Sequence, residues 1–403
     1  MTLGEGRPPR AEVLSRSGAD TQAARADPEA GPQAANGQRP LLVWDWGRRG
    51  AGPFITLQLV RRLIAQGYGD RIVLSLSEQN ELIDEFRRLG LPMSSVHTFD
   101  GRPSLAHLAR ISLSLVRPFR EQLARYRPTT VLVPMLFGAA MPLAPFARRA
   151  ADRLIFVVHD VHPHQGERTW LAQLVAQRYL LRLADTLVTI SGATRVELVK
   201  WRPSVASRVV VEPLAGLYDK LSGPRTFPQG RRLRFLVPGR QVRYKGYGRL
   251  AQALRLLEGA DFELTVVGDG PERALVEKTF GGLPNVTLRS GWASVGEHRR
   301  LFDDHDVLVC PYDEGSQSGL IGDALARSMP TIVTPVGALP EQIGFGRAGW
   351  IAADMTPPAL AKLMTAVARG EVDYATCSSG CGTILDEARA ASNWPRTLGL
   401  APV

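Results

Sequence analysis

The sequence predicts an α/β protein made of two tandem Rossmann-like domains with a cleft between them. Three observations predict it. From Pro40 onward, apolar strand-like runs alternate with helix-like runs, the pattern of a parallel sheet covered on both faces. The alternation breaks over residues 213–232 (PLAGLYDKLSGPRTFPQGRR), where Pro and Gly replace any periodicity, and then restarts. At 403 residues the chain also exceeds what one hydrophobic core usually spans.

Each element follows from its residues. Residues 1–38 carry Ala, Gly, Pro, Arg and acids but almost no large apolar side chains, and are expected as a disordered tail. The first domain is expected over 39–212. Leu41–Trp46 reads as a short strand. Pro53–Gln66 sets Phe54, Leu57, Val60 and Ile64 near helical spacing, with Pro53 in the first turn and Gly67 as the stop. Arg71–Leu76 reads as a strand and Glu78–Leu89 as a helix. Thr130–Pro134 and Leu154–His159 read as buried strands, Thr169–Ala184 as an amphipathic helix and Thr186–Ile190 as a strand. Ser191 is a candidate N-cap for a helix over Ala193–Lys200. Residues 213–232 read as the interdomain linker. The second domain, 233–370, is expected to hold strands Leu233–Val237, Glu263–Val267, Val286–Arg289, Val307–Cys310 and Thr331–Thr334. Its helices are expected over Tyr247–Glu258, Pro271–Phe280, Val295–Asp304, Gly319–Ser328 and Pro357–Ala368. Residues 371–403 are expected to cross back to the first domain.

Composition narrows the function classes. The formal net charge of +10 fits anionic partners such as phosphates or acidic lipids. Nucleic acid is not expected, because the basic residues are spread out and form no arm or recognisable module. No apolar run approaches the roughly 20 residues that span a bilayer, and no secretory signal pattern opens the chain. With three cysteines and no signal, the expected location is cytoplasmic, with peripheral contact at the inner membrane face as an option. That option rests on Arg61-Arg62, Arg87-Arg88 and Arg110–Arg127, the last interleaved with Leu113, Leu115, Val116, Phe119 and Leu123. The competing reading is an amphipathic helix packed on its own sheet. Cys310 reads as a small core hydrophobe. Cys377 and Cys381 lack the further ligands a metal site needs, so no metal is expected.

Two segments carry the chemistry. After strand Leu233–Val237, the turn PGRQVRYKG brings Arg240 and Lys245, with Gly239 and Gly246 permitting close backbone approach. Arg forks onto phosphate oxygens and Lys adds a mobile point charge. After strand Val307–Cys310, Ser316-Gln317-Ser318-Gly319 opens a helix, whose free backbone N–H groups suit an anion. Asp313, Glu314 and Asp323 are the acids around it, and Asp323 is placed to accept from a ribose diol. Read plainly, these are solvated cations, an N-cap and dipole-complementing acids. Gly268-Asp269-Gly270-Pro271 is a turn that can border a nucleotide base. Gly47–Gly52 (GRRGAG) joins the first strand to the first helix but is not G-x-G-x-x-G, so it reads as a cleft loop near substrate. In His159-Asp160-Val161-His162-Pro163-His164, His159 ends a strand and can face the cleft, whereas Pro163 and the adjacency of the ligands disfavour a metal.

Taken in order, these segments resemble the GT-B glycosyltransferases of the group 1 type (glycosyltransferase family four). The resemblance runs from about Leu41 to Trp394. PGRQVRYKGY is similar to the family's G-R-x4-K-G segment, and VVGDGPER, NVTLRSGW, DHDVLVCPY and PTIVTPVGALPE follow in family order. WDWGRRGAGPF, FVVHDVHPH and ADTLVTISGATRVEL carry it in the first domain. The resemblance puts Arg240 and Lys245 on the donor diphosphate, Gly50 and Gly52 in the glycine loop, and His159 at the donor sugar. Where the family has two glutamates separated by seven residues, this chain has Gly315 and Asp323, with Glu314 one place early; SQSG-type loops occur in a subset of the family. The resemblance implies a retaining, metal-independent hexosyltransferase. Its UDP- or GDP-linked sugar would be a co-substrate rather than a bound cofactor. The acceptor would be a hydroxyl of a glycan, a polysaccharide intermediate or a lipid-linked saccharide. The alternative is a non-catalytic homologue that binds nucleotide sugar or glycan as a partner subunit.

Overall fold

The computed structural model describes residues 39–99, 105–137, 140–162, 170–257 and 261–400. The expected tail 1–38, and Pro163 with His164, lie outside the described residues. The first sheet holds seven strands: β1 (Leu41–Asp45), β2 (Ile72–Ser77), β3 (Met93–Val96), β4 (Thr130–Val133), β5 (Arg153–Val158), β6 (Thr186–Thr189) and β7 (Val209–Val211). The second holds six: β8 (Leu233–Pro238), β9 (Phe262–Gly268), β10 (Val286–Ser290), β11 (Val307–Cys310), β12 (Thr331–Val333) and β13 (Gly349–Ile351).

Every pairing is parallel. The strand orders are β3-β2-β1-β4-β5-β6-β7 and β10-β9-β8-β11-β12-β13, so each sheet is a doubly wound Rossmann arrangement. In each, the order reverses between the first and fourth strands. Loops after those strands diverge and leave a crevice. That fixes the place to look: the loops after β1 and β4 in one sheet, and after β8 and β11 in the other.

The central strands are continuous apolar runs because both faces are covered. β1, β4 and β11 are buried at every position. One apolar cluster joins the two sheets. It passes through Leu214, Leu217 and Tyr218 to Ile321, Leu325, Ile384 and Trp394. The segment 213–232 is therefore not wholly a bare linker. Its first part is a 3-10 turn, Leu214–Leu217, packed against the helix Tyr374–Ala391. After that helix the chain returns to the first domain. Buried Glu212 accepts hydrogen bonds from Ser392 Oγ at 2.8 Å, Asn393 N at 2.9 Å and Thr397 Oγ1 at 2.5 Å. Thr130 Oγ1 donates to Leu398 O at 3.1 Å.

Some expectations fail for physical reasons. Glu78–Leu89 yields only a short helix, Ile83–Arg87, because the Asn80 side chain takes the Leu82 N–H at 2.8 Å and holds a turn instead. β3, β7 and β13 go unread in the sequence. All three are short strands at sheet edges, where one side is unpaired and alternation is weak. In the basic, apolar stretch 110–127, Leu113 is exposed while three other apolar side chains turn inward. Leu115, Phe119 and Leu123 are buried in the first domain's core, and Arg61, Arg87 and Arg88 pair with Glu85, Asp84 and Glu85. No helix among the described residues is long and apolar enough to cross a membrane.

Candidate active site

β8 and β11 are hydrogen-bonded neighbours, so the two chemistry-bearing loops that follow them emerge side by side. They touch closely. A Cβ on Gly246, which sits at φ 72°, would lie 1.8 Å from Pro311 O, so only glycine fits there. Asp313 N donates to Tyr244 O at 2.8 Å. The turn Gly268-Asp269-Gly270 packs against the same loop: Gly239 N donates to Val267 O at 2.9 Å and Gln241 N to Asp269 O at 2.8 Å. Gly239, Gly268 and Asp269 thus shape the Arg240–Lys245 loop from behind.

A chain of side chains joins the two loops. Lys245 Nζ donates to Tyr312 Oη, and Tyr312 Oη lies 2.8 Å from Ser318 Oγ. The Lys245 ammonium retains two further N–H donors for a ligand. Burial pushes its pKa from 10.5 down to about 8; the negative charge of Asp160 works against this and the positive charge of Arg240 with it. Arg240 itself is exposed beside Lys245. Cys310, beneath Tyr312 and Ser318, has its thiol pushed up to about 11 by burial, so it is a neutral packing residue.

Ser318 is the N-cap of the helix Gly319–Ala326 by position, but its side chain makes no cap bond. Its N–H goes to Gln342 Oε1 at 2.8 Å, and Gln342 Nε2 donates back to Ser318 O at 3.1 Å. Ser316 O accepts from Ala338 N at 3.0 Å. Ile321 N goes to Ser318 O at 3.3 Å, so the N–H groups left at this helix start are those of Gly319 and Leu320, not Ser318. Tyr218, from the expected linker, supports the helix: its Oη donates to Gly319 O at 3.0 Å, and a Cβ on Gly322 would come 2.3 Å from its ring. Burial, with Asp323 nearby, pushes the Tyr218 phenol well above 10.

The acids are differently placed. Asp323 is buried; its Oδ2 is 3.2 Å from His298 Nε2 and its Oδ1 3.8 Å from Arg327 Nη1. Asp313 accepts from Arg249 Nε at 3.0 Å. Glu314 is exposed.

The first domain supplies the opposite wall. His159 follows β5 and is buried. Its Nε2–H donates to Pro134 O at 2.7 Å, which leaves Nδ1 an acceptor, and Gln317 Nε2 donates to it at 3.1 Å across the cleft. Burial holds its pKa below 6.5, so the ring is neutral at pH 7. Gln317 Oε1 is buried with no hydrogen-bond partner among the described residues. Asp160 is close enough to act on Lys245. His162 turns elsewhere, edge-on to Trp201 at 4.9 Å. No group of three or more His, Cys, Asp or Glu that could hold a metal occurs among the described residues.

The glycine loop is pinned by two carboxylates. Asp45 accepts from Gly47 N at 2.8 Å and Thr56 Oγ1 at 2.8 Å, and Glu81 Oε1 accepts from Gly50 N at 2.7 Å. Burial raises the pKa of both acids. Gly52 packs beside Met135, next in the chain to the Pro134 that holds His159. Sequence reading missed Tyr312, Gln342, Asp45, Tyr218 and Glu341. Only the buried Asp ending an apolar strand carried a signal that could have been read.

Comparison with known proteins agrees with this geometry. Residues 232–369 match the family model described as glycosyl transferases group 1, and residues 49–215 match the glycosyl transferase 4-like domain. The chain is 28% identical over 151 residues to the amylovoran biosynthesis glycosyltransferase AmsK of Erwinia amylovora, covering 35% of this chain and 37% of that one. It is 28% identical over 233 residues to the 2-deoxystreptamine glucosyltransferase of Streptomyces kanamyceticus, covering 54% and 57%. The curated relatives are thus matched over 37% to 57% of their length. Among solved structures, Anabaena HepE in complex with UDP and glucose superposes with a TM-score of 0.66 at 16% identity, covering 90% of this chain and 98% of that one. Sucrose-phosphate synthase from Thermosynechococcus elongatus gives 0.67 at 17% identity, covering 90% and 96%. With two parallel sheets in the same tandem order and both family models matched, the chain belongs to the group 1 glycosyltransferases of GT-B fold.

Proposed function

We propose that this protein transfers a sugar from a nucleoside-diphosphate sugar to a hydroxyl acceptor, with retention at the anomeric carbon. The observation that carries the reading is the Lys245–Tyr312–Ser318 chain, which ties the cationic loop to the helix start on adjacent strands. Breaking the bond from sugar to diphosphate develops negative charge on the leaving phosphate. Arg240, Lys245 and the N–H groups of Gly319 and Leu320 are fixed donors that meet that charge without reorganising. In this reading they do the neutralising, and no metal is required.

The other groups take up the rest of the donor. Asp323 beside His298 offers an acceptor with a donor, which suits a ribose diol. Gln317 Oε1 is an acceptor in the cleft left for a hydroxyl of the transferred sugar. His159 acts through its neutral ring, orienting Gln317 rather than serving as a free base. Asp160 and the glycine loop Gly50–Gly52 border the acceptor side. HepE, a structural neighbour, binds UDP and UDP-glucose, which supports trying uridine donors first.

The test is donor turnover. A panel of UDP- and GDP-hexoses is incubated with the full chain, with water as the hydroxyl acceptor, and released UDP or GDP and the sugar anomer first formed are followed by NMR. The reading expects one nucleotide class to release diphosphate with the donor's anomeric configuration kept. No release from any donor, or an inverted product, contradicts it.

A further inference from the structure

Glu341 lies in the short helix Leu339–Gln342 of the second domain, outside the donor site described above. Its carboxylate reaches into the first domain. Oε1 accepts from Gly192 N at 2.7 Å and Oε2 from Ala193 N at 2.7 Å. These are the first N–H groups of the helix Gly192–Trp201. A helix start leaves four N–H groups without intrahelical partners. Here Thr194 N goes to Ser191 Oγ at 3.1 Å, and the first intrahelical bond is Arg195 N to Ser191 O at 3.2 Å. Among the described residues, Gly192 N and Ala193 N are met by Glu341. The helix dipole adds to this, since its positive end faces a carboxylate.

The next residue faces the other way. Gln342 holds Ser318 through both its N–H and its carbonyl, and Ala338 N holds Ser316 O. One helical turn thus grips the diphosphate loop with one side chain and the opposite domain with the next. We propose that Glu341 is a positioning residue that fixes the first domain over the donor site through the start of helix Gly192–Trp201. Glu341 touches neither donor nor acceptor in this arrangement. It acts by setting how far the wall bearing His159 and Asp160 stands from Gln317 and Lys245. Separating the domains would orphan two N–H groups and a carboxylate together, so the arrangement resists opening. The turnover part of this inference rests on the glycosyltransfer reading; the geometric part does not.

The test uses the full chain carrying Gln66→Cys and Gln252→Cys, both exposed and one on each domain, as label sites. The native Cys310, Cys377 and Cys381 are buried. Interdomain distance distributions are measured by single-molecule energy transfer for wild type, Glu341→Ala, Glu341→Gln and Gly192→Pro. Gly192→Pro attacks the latch from the other side. It removes a latch N–H at a helix position that suits proline, after a Ser191 that is already extended. The expected result is a narrow wild-type distribution that broadens in Glu341→Ala and Gly192→Pro, with Glu341→Gln between. The double variant should be no broader than either single one, because both cut the same contact. UDP or GDP affinity should change less than about threefold, while donor turnover falls at least about tenfold with donor KM kept. An unchanged distribution, or equal loss of diphosphate affinity and turnover, overturns the proposal. If neither nucleotide binds wild type, the glycosyltransfer reading fails, and the distance distributions still decide the latch. Should Glu341→Ala not fold, Glu341→Gln and Gly192→Pro carry the measurement.

Discussion

Among single residues, the proposed donor site turns on Lys245. Its ammonium is held between Tyr312 and the cleft, and burial brings its pKa to about 8. Lys245→Ala should lower turnover by roughly 100-fold or more, from lost charge stabilisation in the transition state, while the melting temperature stays within a few degrees. Near-normal transfer would remove Lys245 from the mechanism. The pH dependence has a definite sign. A bound diphosphate favours the charged lysine and raises its pKa from about 8 toward 10.5. Between those values the free protein has shed the proton and the complex has regained it. Diphosphate binding should therefore take up about one proton near pH 9, and affinity should fall as pH rises through 8. Calorimetry in buffers of different ionisation enthalpy reads this directly, and binding without proton uptake would contradict it. The sequence made the residue types legible here but not their contacts. Arg240, Lys245 and Ser316–Gly319 can be picked out by composition and turn position. That Ser318 spends its N–H on Gln342, or that His159 is committed to Pro134 and Gln317, depends on residues remote in the chain.

At the scale of elements, legibility followed burial. β11 and the helices Val295–Asp304 and Pro357–Ala368 fall where periodicity puts them, because one or both faces are apolar and caps mark their starts. The edge strands β3, β7 and β13 do not announce themselves, since half of each is unpaired and polar residues are tolerated there. Tyr218 lies in a Pro/Gly-rich stretch, yet it fills the space left by Gly322 under the helix Gly319–Ala326. An aromatic in a Pro/Gly-rich stretch has no period to reveal its partner. The return of the chain to the first domain centres on one buried carboxylate, beside the bond from Thr130 to Leu398. Glu212→Ala should leave Ser392, Asn393 and Thr397 without their acceptor and cost about 2–3 kcal/mol. Urea unfolding should show a lower midpoint with an unchanged slope, whereas an unchanged midpoint would mean the final turn is held by its other contacts.

At the scale of the whole molecule, strand order does what no local motif can. Two loops more than sixty residues apart in sequence meet because β8 and β11 are neighbours at the switch point. The first domain's switch point presents Pro134 and the glycine loop, with His159 on the next strand over. The doubly wound alternation was legible, and with it a cleft at the strand ends. The meeting of the two walls, through Gln317–His159 and Glu341 on the helix Gly192–Trp201, was not, because it joins side chains about 150 positions apart. In the proposed function, one diphosphate site is built from the Arg240–Lys245 loop and the helix start at Gly319. Titration calorimetry of UDP and GDP into wild type, Arg240→Ala and Lys245→Ala tests it most directly. One diphosphate should bind wild type with a single site and bind each variant at least about tenfold more weakly. Equal affinity in all three proteins, or no binding of either nucleotide to wild type, would contradict the claim.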